Sequence, residues 1–162
     1  MRDDEFERLY AEEAAGLFSF LAYRTGDRAL AEDLLADAFE RALRSRGRFD
    51  RRRGSQKTWL YAIALNGLRD HARREAARAR ALERAGTPGE EAPSALGAVE
   101  ERDAVQRALA TLSADEREAI ALRFGADLTV PEIATVLRQP LSRVEGRVYR
   151  ALRKLRDVLP ER

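Results

Sequence analysis

Apolar residues recur along the chain at three- and four-residue intervals and almost never alternate, which is the pattern of helices rather than strands. Phe6, Leu9, Tyr10, Leu17, Phe20, Leu21 and Tyr23 predict one or two helices at the start. Gly26-Asp27 then stops one helix and starts the next, with Asp27 as N-cap. Leu30, Leu34, Leu35, Ala38, Phe39, Ala42 and Leu43 form an amphipathic face whose opposite side shows Glu32, Asp33, Asp37, Glu40 and Arg41. Ser45 to Lys57 has no periodicity and is read as a loop. A third helix begins near Thr58, very apolar at its start and very basic at its end.

Later, three pairs of Ser or Thr with Glu three residues on mark helix starts: Ser113 with Glu116, Thr129 with Glu132, Ser142 with Glu145. With Val105, Leu109 and Leu112 before them, they predict helices over about 100–111, 114–124, 130–137 and 142–158. Between the halves, Gly86, Pro88, Gly89, Pro93 and Gly97 fall among Ala, Glu and Ser. That composition predicts a flexible acidic linker over 81–98, between domains at 1–80 and 99–162. The fold class is all-α, two small helical domains on a flexible linker.

Composition narrows the chemistry. There is no cysteine and a single histidine, His71, so thiolate zinc sites, disulfides and paired-histidine metal sites are excluded within one chain. The longest apolar run, Trp59 to Leu65, is far short of the ~20 residues a spanning helix needs, so no membrane insertion is expected. The acidic start MRDDEFERLYAEE lacks the apolar core of a secretory signal. Net charge is only +2, yet 28 of the 30 cations are arginine and they cluster. Arg44 to Lys57 carries seven cations and one carboxylate, and so does Arg138 to Arg156. Two basic clusters in separate halves point to a polyanion.

The second cluster sits on a recognisable device. Val130, Ile133, Ala134 and Leu137 make a short helix, Arg138-Gln139-Pro140-Leu141 a break, and Val144, Val148, Leu152, Leu155 and Leu159 the inner line of a longer helix. This is a helix-turn-helix. Ala134 supplies a small residue where the helices approach, and Pro140 cannot continue the first helix. Arg143, Arg147, Arg150 and Lys154 are expected on the exposed face of the second helix, suited to the major groove.

EIATVLRQPLSRVEGRVYRALRKLRDVL, with LATLSADEREAIALRFGADLTVPEIA before it, resembles region 4 of bacterial sigma factors. GDRALAEDLLADAFERALR resembles region 2, and FDRRRGSQKTWLYAIALNGLRDHARR its promoter-reading part, with Asn66, Asp70 and Arg73 in an N-x(3)-D-x(2)-R run. Two such domains in this order are similar to the extracytoplasmic-function class of the sigma-70 family. The resemblance implies a factor that directs core RNA polymerase to promoters by −35 and −10 recognition and strand opening. It implies docking of Glu32, Asp33, Ala36, Asp37, Glu40 and Arg41 on the β′ clamp helices, a β flap contact, promoter DNA, an anti-sigma factor and a cytoplasmic setting. The −10 element falls to Phe49, Arg51, Arg52, Arg53, Gln56, Lys57, Asn66, Asp70, Arg73 and Arg74, with cations on phosphates and Asn66 able to read a base edge. The −35 element falls to Thr129, Ser142, Arg143, Glu145, Gly146, Arg147, Arg150 and Lys154.

Blander roles compete for several residues. Phe49 and Trp59 read as core anchors as readily as stacking platforms, Asp70 as a partner for a neighbouring arginine, and His71 as a surface residue. Arg138 stands where the family commonly has Gly, and a non-Gly residue in a left-handed turn costs about 1 kcal/mol. No nucleophile–base pair, hydrolytic metal cluster or Gly-rich phosphate loop is visible, so neither catalysis nor a cofactor is expected. The alternative function is a stand-alone helix-turn-helix regulator whose N-terminal helices dimerise or sense a ligand.

Overall fold

The computed structural model describes residues 1–86 and 100–159, with side chains in the second stretch from residue 103. Among the described residues every regular element is helical: α1 (Asp3–Thr25), α2 (Arg28–Ser45), α3 (Gln56–Arg84), α4 (Glu100–Ala110), α5 (Ala114–Ile120), α6 (Val130–Leu137) and α7 (Leu141–Val158). Helices α1–α3 belong to one unit and α4–α7 to another, the all-α, two-part architecture expected. No helix among the described residues is long and apolar enough to cross a membrane.

In the first unit α1 is a single continuous helix that buries Leu9, Leu17, Phe20 and Leu21. Gly26 ends it in the left-handed region (φ 67°), its N–H donating to Ala22 O. Asp27 Oδ1 then accepts from the Leu30 N–H at 3.1 Å, so α2 folds back on α1 with Ala31, Leu34, Ala38, Phe39 and Ala42 inward. Helix α3 closes the unit with Leu60, Tyr61, Ala64, Leu65 and Leu68; Tyr61 and Phe20 meet edge to face at 5.8 Å. Burial pushes the Tyr61 phenol above its ordinary range. Tyr10, Tyr23 and Leu43, expected inside, remain exposed.

Helix α3 begins two residues before the predicted start, because Ser55 Oγ accepts from the Thr58 N–H at 3.1 Å. It also runs past residue 80. Residues 81–84, assigned to the linker, are helix, since no breaker precedes Gly86 (φ 71°). Residues 87–98 of that linker lie outside the described residues. The basic stretch before α3 is two short 3-10 turns, Arg46–Arg48 and Arg51–Arg53, rather than plain loop.

In the second unit α7 is the hub, packing on α4, α5 and α6. Helix α5 gives way after Ile120 to a wide π-type turn, Ala121–Gly125, whose closing bond runs from the Ala126 N–H to Ala121 O at 2.9 Å. Of the three expected capping boxes, only Thr129–Glu132 is complete, at 3.3 and 3.0 Å. Ser113 caps Glu116 N–H, but the Glu116 carboxylate turns to Lys154 at 2.8 Å instead. The Ser142–Glu145 box is absent: α7 starts at Leu141 with Pro140 as its cap residue, so Ser142 already lies inside the first turn. Arg138 does adopt the left-handed conformation (φ 53°, ψ 46°), and the turn keeps its form, with Gln139 N–H donating to Ala134 O at 3.1 Å.

The inner line of α7 differs from the predicted one. Val144, Val148 and Ala151 are buried and Leu155 half-buried, whereas Leu152 is exposed. A stripe through 144, 148, 151 and 155 also contains position 147. Arg147, expected outward, is therefore buried, with its guanidinium 3.8 Å from Asp115. The small Ala151, fully buried, sets this rotation by letting Leu112 and Ile120 approach.

Two outcomes are expected from this packing. Arg138→Gly should stabilise the second unit by about 0.5–1 kcal/mol, the left-handed strain relieved minus the entropy of an added glycine, read by thermal unfolding of the full chain. The hydrogen bond from Lys154 holds the Glu116 carboxyl below its ordinary value of 4.5. Its contribution is then present above that pH and lost as pH falls through the lower folded value. Lys154→Met leaves the buried Glu116 carboxylate without its main counter-charge, so the unit should lose about 1–2 kcal/mol at pH 7. Because the stranded carboxylate then gains by protonation, melts of variant and wild type should converge in acid.

Candidate nucleic-acid interface

An aromatic pair stands beside the basic turns that precede α3. Phe49, between the two 3-10 turns, meets Trp59 of α3 edge to face at 5.4 Å, and both rings are half-buried. Each packs against the other, and neither is wholly buried. Arg51, Arg52 and Arg53 are exposed on the second turn, and Gln56 and Lys57 half-buried at the start of α3. Lys57 Nζ lies 5.9 Å from the Tyr61 ring centre.

Asn66, Asp70, Arg73 and Arg74 occur at i, i+4, i+7 and i+8, one side of α3, with Trp59 two turns earlier on the same side. Asn66 and Arg74 are exposed. Asp70 is engaged: it pairs with Arg73 and, at 3.6 Å, with Arg41 of α2. The Arg73 hydrogen bond first, then the charges of Arg73 and Arg41, hold the Asp70 carboxyl below the usual range. Asp70 therefore positions Arg73, the blander of its two sequence readings. His71 is half-buried beside this stripe.

On α2, Glu32, Asp33, Ala36 and Glu40 are exposed along one side. Asp37 is drawn toward α3: its carboxylate takes the Arg41 guanidinium at 2.9 Å and faces Gly67, where a Cβ would stand 3.6 Å from Oδ2. Arg41 thus bridges Asp37 and Asp70 across two helices, instead of standing at the edge of an acidic face.

In the second unit Thr129 and Glu132 are spent on each other at the start of α6. Ser142, Arg143, Glu145 and Arg150 are exposed on α7. Gly146 is half-buried beneath Arg150, whose Nη1 would lie 3.1 Å from a Cβ there. Of the expected set, Arg147 is buried rather than outward, and Lys154, though exposed, is bound to Glu116. Two residues were missed. Arg153 and Tyr149 lie opposite the Val144–Ala151 stripe and are exposed, Tyr149 by 67%. Correct periodicity would have found them, had Ala151 rather than Leu152 been taken as core. The outward side of α7 thus carries guanidinium groups and one aromatic ring, the chemistry of phosphate and base contact. Among the described residues no group of three His, Asp or Glu could hold a metal ion.

Comparison with known proteins matches each unit separately. The family model of Sigma-70 region 2 matches residues 9–78 and that of Sigma-70, region 4 residues 108–157. The ECF RNA polymerase sigma factor SigL of Mycobacterium tuberculosis is 32% identical over 94% of this chain and 88% of its own length. RNA polymerase sigma factor CarQ of Myxococcus xanthus is 35% identical over 98% and 91%. The ECF RNA polymerase sigma factor BldN of Streptomyces coelicolor is 32% identical over 98% of this chain, which spans only 61% of that relative's length. Among solved structures, the sigma factor RpoE in complex with the anti-sigma factor NepR from Bartonella quintana aligns with a TM-score of 0.72 at 25% identity, covering 95% of this chain and 96% of that one. CnrH in complex with the cytosolic domain of CnrY aligns at 0.65 and 26% identity, covering 95% and 86%. With both regions matched in order and relatives above 30% identity along nearly its full length, the chain belongs to the extracytoplasmic-function sigma factors of the sigma-70 family.

Proposed function

We propose that this chain directs core RNA polymerase to a set of promoters and opens them, with no chemistry of its own and without leaving the cytoplasm. In this reading the exposed acids of α2 dock on the β′ clamp helices and the second unit on the β flap. The basic turns and the Asn66–Arg74 side of α3 hold the −10 strand, and the outward side of α7 reads the −35 element. Phosphate contacts fix the register while base-edge contacts specify the sequence. The sigma factors solved with NepR and with CnrY support an anti-sigma partner that masks these faces. The observation that carries the reading is the rotation of α7, which keeps Arg143, Arg150 and Arg153 outward beside a completely capped α6.

The deciding experiment adds the purified chain to core polymerase on templates selected by the reconstituted holoenzyme. Promoter-dependent initiation is expected. No association with core, together with a sequence-specific footprint by the chain alone, would instead establish the stand-alone regulator.

Two variants test the faces. Asp33→Arg should weaken core association at least about tenfold, since an acidic side meeting a basic partner is reversed. Asp33 is exposed, whereas Asp37 is already paired with Arg41 and is the poorer probe. Arg143→Ala should weaken binding to a −35 duplex by about 1–3 kcal/mol if it reads a base. If it touches only phosphate, it should lower the salt slope by about one.

A further inference from the structure

The acidic first turn of α1 lies against the basic turns that are proposed to hold −10 DNA. Glu5 pairs with Arg51, 46 residues away, and Arg46 Nε stands 3.3 Å from Asp3 Oδ1. Glu5 is the better seated of the two acids: its side chain is only 12% exposed and its Oε2 accepts from the Arg2 N–H at 2.9 Å. That backbone hydrogen bond first, and then the charges of Arg51 and Arg2, keep its carboxyl ionised below the usual range. A cleft of about 230 Å³ opens at this pair, lined by Glu5, Arg8, Glu12, Arg51 and Gln56, so a second carboxylate, that of Glu12, lines the same cleft. Arg51 and Gln56 are both candidates for the −10 contact.

A carboxylate held against a guanidinium occupies the place a phosphate would take. We infer that Glu5, assisted by Asp3, is a specificity-determining residue that competes with DNA phosphates for Arg51 and Arg46 and so suppresses binding to random duplex. Random DNA offers only phosphates, and to recruit Arg51 it must displace an anion already in place. A promoter adds base contacts that offset this displacement, so discrimination rises although no base touches Glu5. The inference rests on the proposed placement of the basic turns on DNA. It differs from that placement in naming an intramolecular competitor and a measurable penalty.

The test is the affinity of the full chain for a mixed-sequence duplex without a promoter, read by fluorescence anisotropy across a salt series. Glu5→Gln keeps an oxygen to accept from the Arg2 N–H and removes the charge. It should bind random duplex about 3–10-fold tighter at low salt, with a salt slope steeper by about one, the value of one added phosphate contact. Asp3→Asn, at a solvent-facing carboxylate that cannot disturb the core, should shift both quantities the same way by a smaller factor. Asp4→Asn removes the same charge from the same turn, but Asp4 pairs with Arg2 and Arg8 and not with the basic turns, so no comparable gain is expected. Wild-type affinity and slope in both Glu5→Gln and Asp3→Asn would overturn the inference, and so would an equal gain in Asp4→Asn. Promoter-dependent initiation by the wild-type chain is scored in parallel with core polymerase. Its absence removes the proposed function, whereas a flat result on random duplex with normal initiation removes only the competitor.

Discussion

Helices in this protein meet across very small side chains, and that constraint governs the rest. Ala31, Ala38, Ala42 and Ala64 in the first unit, and Ala108, Ala119 and Ala151 in the second, are almost wholly buried. Where alanine or glycine lies at a contact, neighbouring helices approach closely and their rotation about their own axes is restricted. Rotation then decides the fate of every charged residue on the same helix. With Ala151 inward, Arg147 is drawn into the unit and Arg153 is turned out. With Gly67 beneath Asp37, α2 and α3 are close enough for Arg41 to span Asp37 and Asp70.

A chain with 28 arginines must place their charge somewhere. A guanidinium can face water, a carboxylate of its own protein, or a phosphate. The structure sorts them by these options. Arg147 near Asp115, Arg41 between two acids and Lys154 on Glu116 are cations used internally, and in each case a buried or half-buried group would otherwise lack a counter-charge. Arg143, Arg150, Arg153 and Arg74, like Arg51, Arg52 and Arg53, are among those turned outward. A near-neutral total is therefore compatible with a strongly cationic working surface, because ten of the 28 acids lie on α1 and α2 while exposed cations cluster on the basic turns, α3 and α7.

The turns follow local chemistry closely. Gly26, Asp27, Ser55, Ser113 and Thr129 do at helix ends what their side chains or lack of one predict. Arg138 shows the same logic under strain: the Schellman-type closure onto Ala134 needs a left-handed residue, and the second unit tolerates an arginine there rather than alter the turn. The Ser142–Glu145 pattern failed for an equally local reason. Pro140 is preset for entry into the helix and moved the start one residue upstream of the serine.

Helix content, the number of units, the helix-turn-helix and the family could all be read from residue order, because periodicity and capping are set by neighbours within four positions. The basic turns and the acidic side of α2 were legible for the same reason. What only the tertiary structure decided is which cations remain outward. Arg147 and Lys154 look like Arg143 and Arg150 in the sequence, and Asp70 like a DNA contact, yet each is claimed by a partner on another helix. Glu5 and Arg51 carry no sequence signal linking them across 46 positions. Charge pairing depends on distance in space, and that distance is fixed by helix packing, which no run of a few residues encodes.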